Sequence, residues 1–274
     1  MKRENIILGL SALAPFLLRG ESGGATMLQK VQWVDKNGRV RSIQAKKIGT
    51  GTYSTVFLDP IFQEVYTITD YRDMSKIILA DIYAQSPNKN LPAVTYLGNA
   101  LDGSAFVTKM PFYHEIKPND PLFKTTQFLR NVSQEWRLNH FARHCFEVEQ
   151  KVGRGGEDWR TNFKASILRN ELLRYIRSKA GNQPQIDKVI QALELVDRSI
   201  NQSDIEQSLD FDTILDGFQH VNFMKDSKGN IVVVDPVFPN RISKCTTFIV
   251  DYISSSTGAE WQQMSLDQFL ESLE

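Results

Sequence analysis

Two cysteines, Cys145 and Cys245, are all that the 274 residues contain, and thiols so far apart build no disulfide framework. Stability must therefore come from an apolar core, and the expected compartment is a reducing one, the cytoplasm. Net charge is lacking too. Lys and Arg number 32, and so do Asp and Glu, which removes the electrostatic case for direct nucleic-acid or membrane-surface binding. The chain also lacks an apolar run long enough to span a bilayer. Its best candidate, Ile6–Leu18, is interrupted by Pro15; Glu4 sits in the leader, and Arg19 follows with no small-residue cleavage site. The expectation is a helix packed on the domain or a partner, without membrane insertion, and then a joint at 20–26. Internal repeats and low-complexity segments are absent. What is present, 41% hydrophobic and 23% charged residues, is the composition of a globular protein with a sizeable core.

Turn chemistry divides the first half of the chain into strands. Asn37-Gly38 is the strongest short hairpin signal, and it joins strands predicted at Leu28–Val34 and Arg39–Ile48. Strands follow at Thr55–Leu58 and Glu64–Thr69. Helical spacing then covers Asp73–Ala84, and strands at Ala93–Leu97 and Ala105–Met110 flank an Asp102-Gly103 turn. Beyond Pro121 the pattern turns helical, with Phe128, Val132, Trp136 and Phe141 as core candidates. Glycines at 153, 155 and 156 read as a connector, since no strand leads into them as a phosphate loop would require. A helix is predicted over Trp159–Ser178, and another on the apolar face of Ile186, Val189, Ile190, Leu193, Val196 and Ile200. The tail from Ser243 to Glu274 reads as packing plus a terminal amphipathic helix.

Two stretches carry chemistry. In 214–238, Asp216 and Asn222 precede a turn at Asp226–Gly229, a β-branched strand at Ile231–Val234, and then Asp235-Pro236. A carboxylate at the mouth of an apolar strand is costly to desolvate unless it meets a cation or hydrogen-bond donors. Asn222 and Asp235, thirteen residues apart across a hairpin, can reach one metal ion. Upstream, Ile48-Gly49-Thr50-Gly51-Thr52-Tyr53-Ser54-Thr55-Val56 is a glycine-rich turn between strands, where backbone amides are able to approach phosphates.

Together these stretches resemble protein kinase-like phosphotransferases, and the Asp-Pro-Val at 235–237 is most similar to the early serine/threonine kinases of short-tailed lytic phages. The resemblance implies an α+β, two-lobed kinase-like fold. Its five-stranded antiparallel N-lobe would occupy 27–112, with one helix after the third strand. A short helical C-lobe would fill 113–274, after an N-terminal helix and joint at 1–26, and Met110–Tyr113 would connect the lobes. It implies ATP and magnesium as cofactors and a host protein as substrate or target. The nucleotide would lie against Ile48, Gly49, Thr50, Gly51, Thr52, Tyr53, Ser54, Val56 and Met110. Asn222 and Asp235 would hold the metal, and Asp216 would be the catalytic base.

The chain departs from the family at two points. Asp216 lies six residues before Asn222 where the family has five, which strictly places Gly217 there; His220 is the alternative base. The third strand, Val65-Tyr66-Thr67-Ile68-Thr69, has no lysine for the nucleotide phosphates. Lys109 is the expected replacement, with Lys76 second and otherwise paired to Asp81 or solvent. An active phosphotransferase and a pseudokinase that binds a host protein both follow from these residues. A small-molecule kinase shares the resemblance and ranks behind them.

Overall fold

The computed structural model describes residues 27–51, 53–136, 140, 143, 165–201, 222–236 and 268. The apolar leader and its joint, Thr52, both cysteines, Phe141, the 153–156 glycines, Asp216, His220 and the tail except Gln268 lie outside the described residues. The described chain falls into two compact units, one from 27–120 with 222–236, the other from 121–136 with 165–201.

In the first unit six strands alternate direction: β1 (Leu28–Val34), β2 (Val40–Thr50), β3 (Ser54–Asp59), β4 (Glu64–Asp70), β5 (Thr95–Asn99) and β6 (Ala105–Pro111). They close into a barrel in the order β1-β2-β3-β4-β6-β5. This overturns the expected two-lobed kinase-like fold, whose N-lobe would have been a five-stranded sheet. The reason lies in β1. It pairs with β2 over its whole length, from Leu28↔Lys46 to Val34↔Val40, and Val34 then pairs with Asn99 on β5. The first hairpin is thus a structural wall of the barrel, joined to β5 through this one registered pair.

Gly98 makes the closure possible. The ladder between β5 and β6 shifts register between Tyr96 and Gly98, and Gly98 has φ +143°. A Cβ there would stand 1.9 Å from the Val34 carbonyl oxygen. Only a residue without a side chain lets the two strands meet. The sequence pattern predicts this strand at Ala93–Leu97, two residues early and ending just before the bulge. Val31, Trp33, Ala45, Phe57, Tyr66 and Val107 fill the interior.

Helix α1 (Ser75–Gln85) leaves the end of β4, and β7 (His114–Glu115), β8 (Phe223–Lys225) and β9 (Ile231–Val233) form a second sheet. Of Met110–Tyr113, expected as an inter-lobe connector, Met110 and Pro111 end β6, and Phe112 and Tyr113 follow it within the first unit. The Phe112 amide then bonds to the Gln63 carbonyl, and the buried Tyr113 hydroxyl accepts from the Ala93 amide at 2.9 Å. The second unit comprises α2 (Phe123–Trp136), α3 (Ala165–Ala180) and α4 (Pro184–Asn201). The predicted apolar face of α4 is buried throughout. A buried Arg169–Asp197 ion pair crosses from α3 to α4.

Candidate functional site

The β8–β9 hairpin is built from its turn outward. Asp226 Oδ1 accepts the amides of Lys228 and Asn230, Oδ2 accepts the Asn230 side chain, and Gly229 takes φ +78°. An Asp side chain that caps its own turn fixes the loop before any tertiary contact forms. These bonds outweigh burial and hold the Asp226 carboxyl below its ordinary range. The ladder then runs Lys225↔Ile231, Met224↔Val232 and Phe223↔Val233, and the Val234 amide donates to the Asn222 carbonyl at 2.9 Å. Asn222 and Asp235 consequently sit at the same end of the hairpin, both buried.

Two clamps tie this hairpin to α1 and the segment after it. At one end the Asn90 side-chain amide donates to the Ile231 carbonyl at 2.6 Å, and the Val233 amide donates to the Asn90 carbonyl. At the other, the Lys76 ammonium meets Asp235 Oδ1 at 2.9 Å and the Val234 carbonyl at 3.5 Å. Both side chains of the pair are nearly inaccessible, at 6% for Lys76 and 7% for Asp235. Lys76 therefore neither pairs with Asp81 nor faces solvent, as the sequence reading had it. The signal that could have found it is helical spacing: Lys76 shares the buried face of α1 with Leu79 and Ala80.

The glycine-rich turn closes β2 onto β3. Gly49 pairs with Val56 and Thr50 with Thr55, after a register shift at Ile48, and the Gly51 amide donates to the Ser54 carbonyl at 2.7 Å. Tyr53 ties the turn to the end of β4 and to Arg72 just after it. Its carbonyl accepts the Asp70 amide at 2.8 Å, and the Arg72 guanidinium lies 5.2 Å from its ring centre. Arg72 also pairs with Asp70. The turn, the end of β4 and Arg72, three residues before α1, thus form one local cluster.

Strand alternation sorts the remaining candidates by face. Ser54↔Thr69, Val56↔Thr67, Thr67↔Thr108 and Val65↔Met110 are registered pairs, so these side chains share the outer face of the barrel wall. Val56, Thr67, Thr69, Thr108 and Met110 are all buried there. Thr69 Oγ1 is the one buried side-chain polar atom without a hydrogen-bond partner among the described residues, an open position for a ligand atom.

Lys109 points the other way. It is in register with Tyr66 and two residues from Val107, both of the barrel core, and its ammonium bonds to Glu64 at 2.7 Å. The Tyr66 hydroxyl donates to the same carboxylate at 2.8 Å. Burial raises the Glu64 carboxyl, but the bonds from Lys109 and Tyr66 prevail and leave it below its ordinary value of 4.5. A depressed carboxyl favours the fold above its unfolded pKa and loses that contribution as pH falls through the folded value. Thermal melts should therefore show wild type losing stability below about pH 4.5 more steeply than Glu64→Gln. Parallel profiles would show that the triad contributes nothing.

Asp216, expected as the catalytic base, and Thr52 of the glycine turn lie outside the described residues. No group of three or more His, Cys, Asp or Glu gathers for a metal among the described residues, and none of their helices is long and apolar enough to cross a membrane. No family model matches the chain, and no curated protein matches it.

Proposed function

We propose that the first unit binds a nucleoside triphosphate with magnesium, and that the chain is an ATP-dependent phosphotransferase. The observation that carries this reading is the buried Asp235 carboxylate, held by an ammonium at 2.9 Å beside Asn222 at one end of a turn-locked hairpin. A carboxylate and an amide are both oxygen donors, the hard ligands magnesium prefers, and magnesium takes few protein ligands when phosphates supply the rest. The donor set therefore fits the ion even without a third acidic residue. Bound there, magnesium would offset the repulsion between the carboxylate and the phosphates.

The rest of the unit supplies recognition. The glycine turn offers backbone amides beside the end of β4, while Val56 and Met110 give an apolar wall on which the Thr69 hydroxyl awaits a partner. The kinase-type motifs of the sequence extend the proposal to a serine or threonine hydroxyl of a host protein as acceptor. A second reading, a nucleotide-binding module without transfer, is favoured by β4. Its run Val65-Tyr66-Thr67-Ile68-Thr69 holds no lysine, and the residue after Ile68, where the motif calls for one, is the buried, uncharged Thr69.

Calorimetric titration of the full chain with ATP, with and without magnesium, tests the first step. Wild type should bind more tightly with the metal, and Asp235→Asn, checked to be folded, should lose that difference. Equal affinity in wild type and variant under both conditions would remove Asp235 from the site. Labelled ATP incubated with host extract then separates transfer from binding alone.

A further inference from the structure

We infer that Lys76 is the phosphate-binding lysine of this chain, standing in from the first turn of α1 for the lysine that β4 lacks. The inference rests on the nucleotide reading above and goes beyond it by naming the cation. Among the described residues Lys76 is the one buried lysine. Desolvating an ammonium costs several kcal/mol unless a partner compensates, so a chain that merely needed a helix residue here would do better with an apolar one. The partner it has is the carboxylate proposed for magnesium. The Thr67 face is uncharged, and Lys109 leaves the opposite face of the wall to engage Glu64. Lys225 is held by Asp120.

The chemistry couples the two partners. With Asp235 free of metal, its charge belongs to Lys76. Once the carboxylate is engaged on a divalent cation, the ammonium loses its counter-charge, and phosphate oxygens become its best acceptors. A lysine stem has four carbons and rotates without moving the helix, so the ammonium is able to change partners while Asn90, past the end of α1, keeps its hold on the hairpin. Asp235 is then a holding partner for Lys76 in the nucleotide-free protein, and the pair is broken only when metal and nucleotide arrive together.

The test uses the wild-type full chain and a mixed anhydride of ATP, in which an acyl group is joined to the terminal phosphate. A lysine amine beside the phosphates attacks the acyl carbonyl; an amide bond forms, ATP leaves, and the amine's proton passes to solvent. Peptide mass spectrometry then reads which lysine is acylated, with magnesium present and with or without excess unlabelled ATP. The expected result is acylation of Lys76 that is lost when ATP competes, and absence of that modification in Lys76→Arg without transfer to Lys109. ATP-suppressible acylation of Lys109 or another lysine, with Lys76 untouched, overturns this inference and leaves nucleotide binding standing. No ATP-suppressible acylation anywhere overturns both.

Discussion

Gly98→Ala should cost the first unit about 2–6 kcal/mol, a large share of the stability of an ordinary domain. Two costs add. The residue holds φ +143°, a backbone state that side-chain-bearing residues adopt only at about 1–3 kcal/mol. The new methyl would also lie 1.9 Å from the Val34 carbonyl oxygen, backbone that cannot step aside without breaking the Val34↔Asn99 pairing. Overpacking of this kind adds about 1–3 kcal/mol. Gly103→Ala is the control: φ is +70° and nothing lies within 4 Å of its would-be Cβ, so only the backbone cost applies. Urea denaturation of both variants should rank Gly98→Ala far below Gly103→Ala. Equal losses would mean that the barrel is not closed at this point.

The second large effect concerns the buried pair. Lys76→Met should lose about 3–5 kcal/mol, because it removes the ammonium paired with the buried Asp235 carboxylate. Asp235→Asn should lose a comparable amount for the opposite reason. Replacing both, Lys76→Met with Asp235→Asn, should recover most of the loss, since both members of the pair are then uncharged. Denaturant midpoints of the four proteins give the coupling energy directly. Simple additivity of the two single losses would show that the two groups do not depend on each other.

The two effects mark where sequence reading succeeds and where it stops. Local chemistry is legible. Asn37-Gly38 announces its hairpin because Gly38 needs φ +74°, and Asp35 accepts the amides of Asn37 and Arg39 within the same turn. The Asp226 turn, the strands around Thr55–Leu58 and Glu64–Thr69, and the apolar face of α4 are legible for the same reason: each depends on residues a few positions apart.

Barrel closure is not legible, because it joins Val34 to Asn99 and hinges on a glycine that reads as an ordinary turn residue. The partner of Lys76 lies 159 positions away, beyond any periodicity. Its burial was readable from Leu79 and Ala80 on the same helix face, whereas its engagement with Asp235 was not. For Lys109 the reverse holds. Its position on β6 was correct, but the side it faces depends on register with Tyr66, which only the folded sheet fixes.

A structure of the protein with a non-hydrolysable ATP analogue and magnesium tests the central claim most directly. The account predicts magnesium on the Asp235 carboxylate, with the Lys76 ammonium moved from that carboxylate to a phosphate oxygen. Nucleotide bound elsewhere, with Lys76 and Asp235 still paired as they are at 2.9 Å, would contradict it.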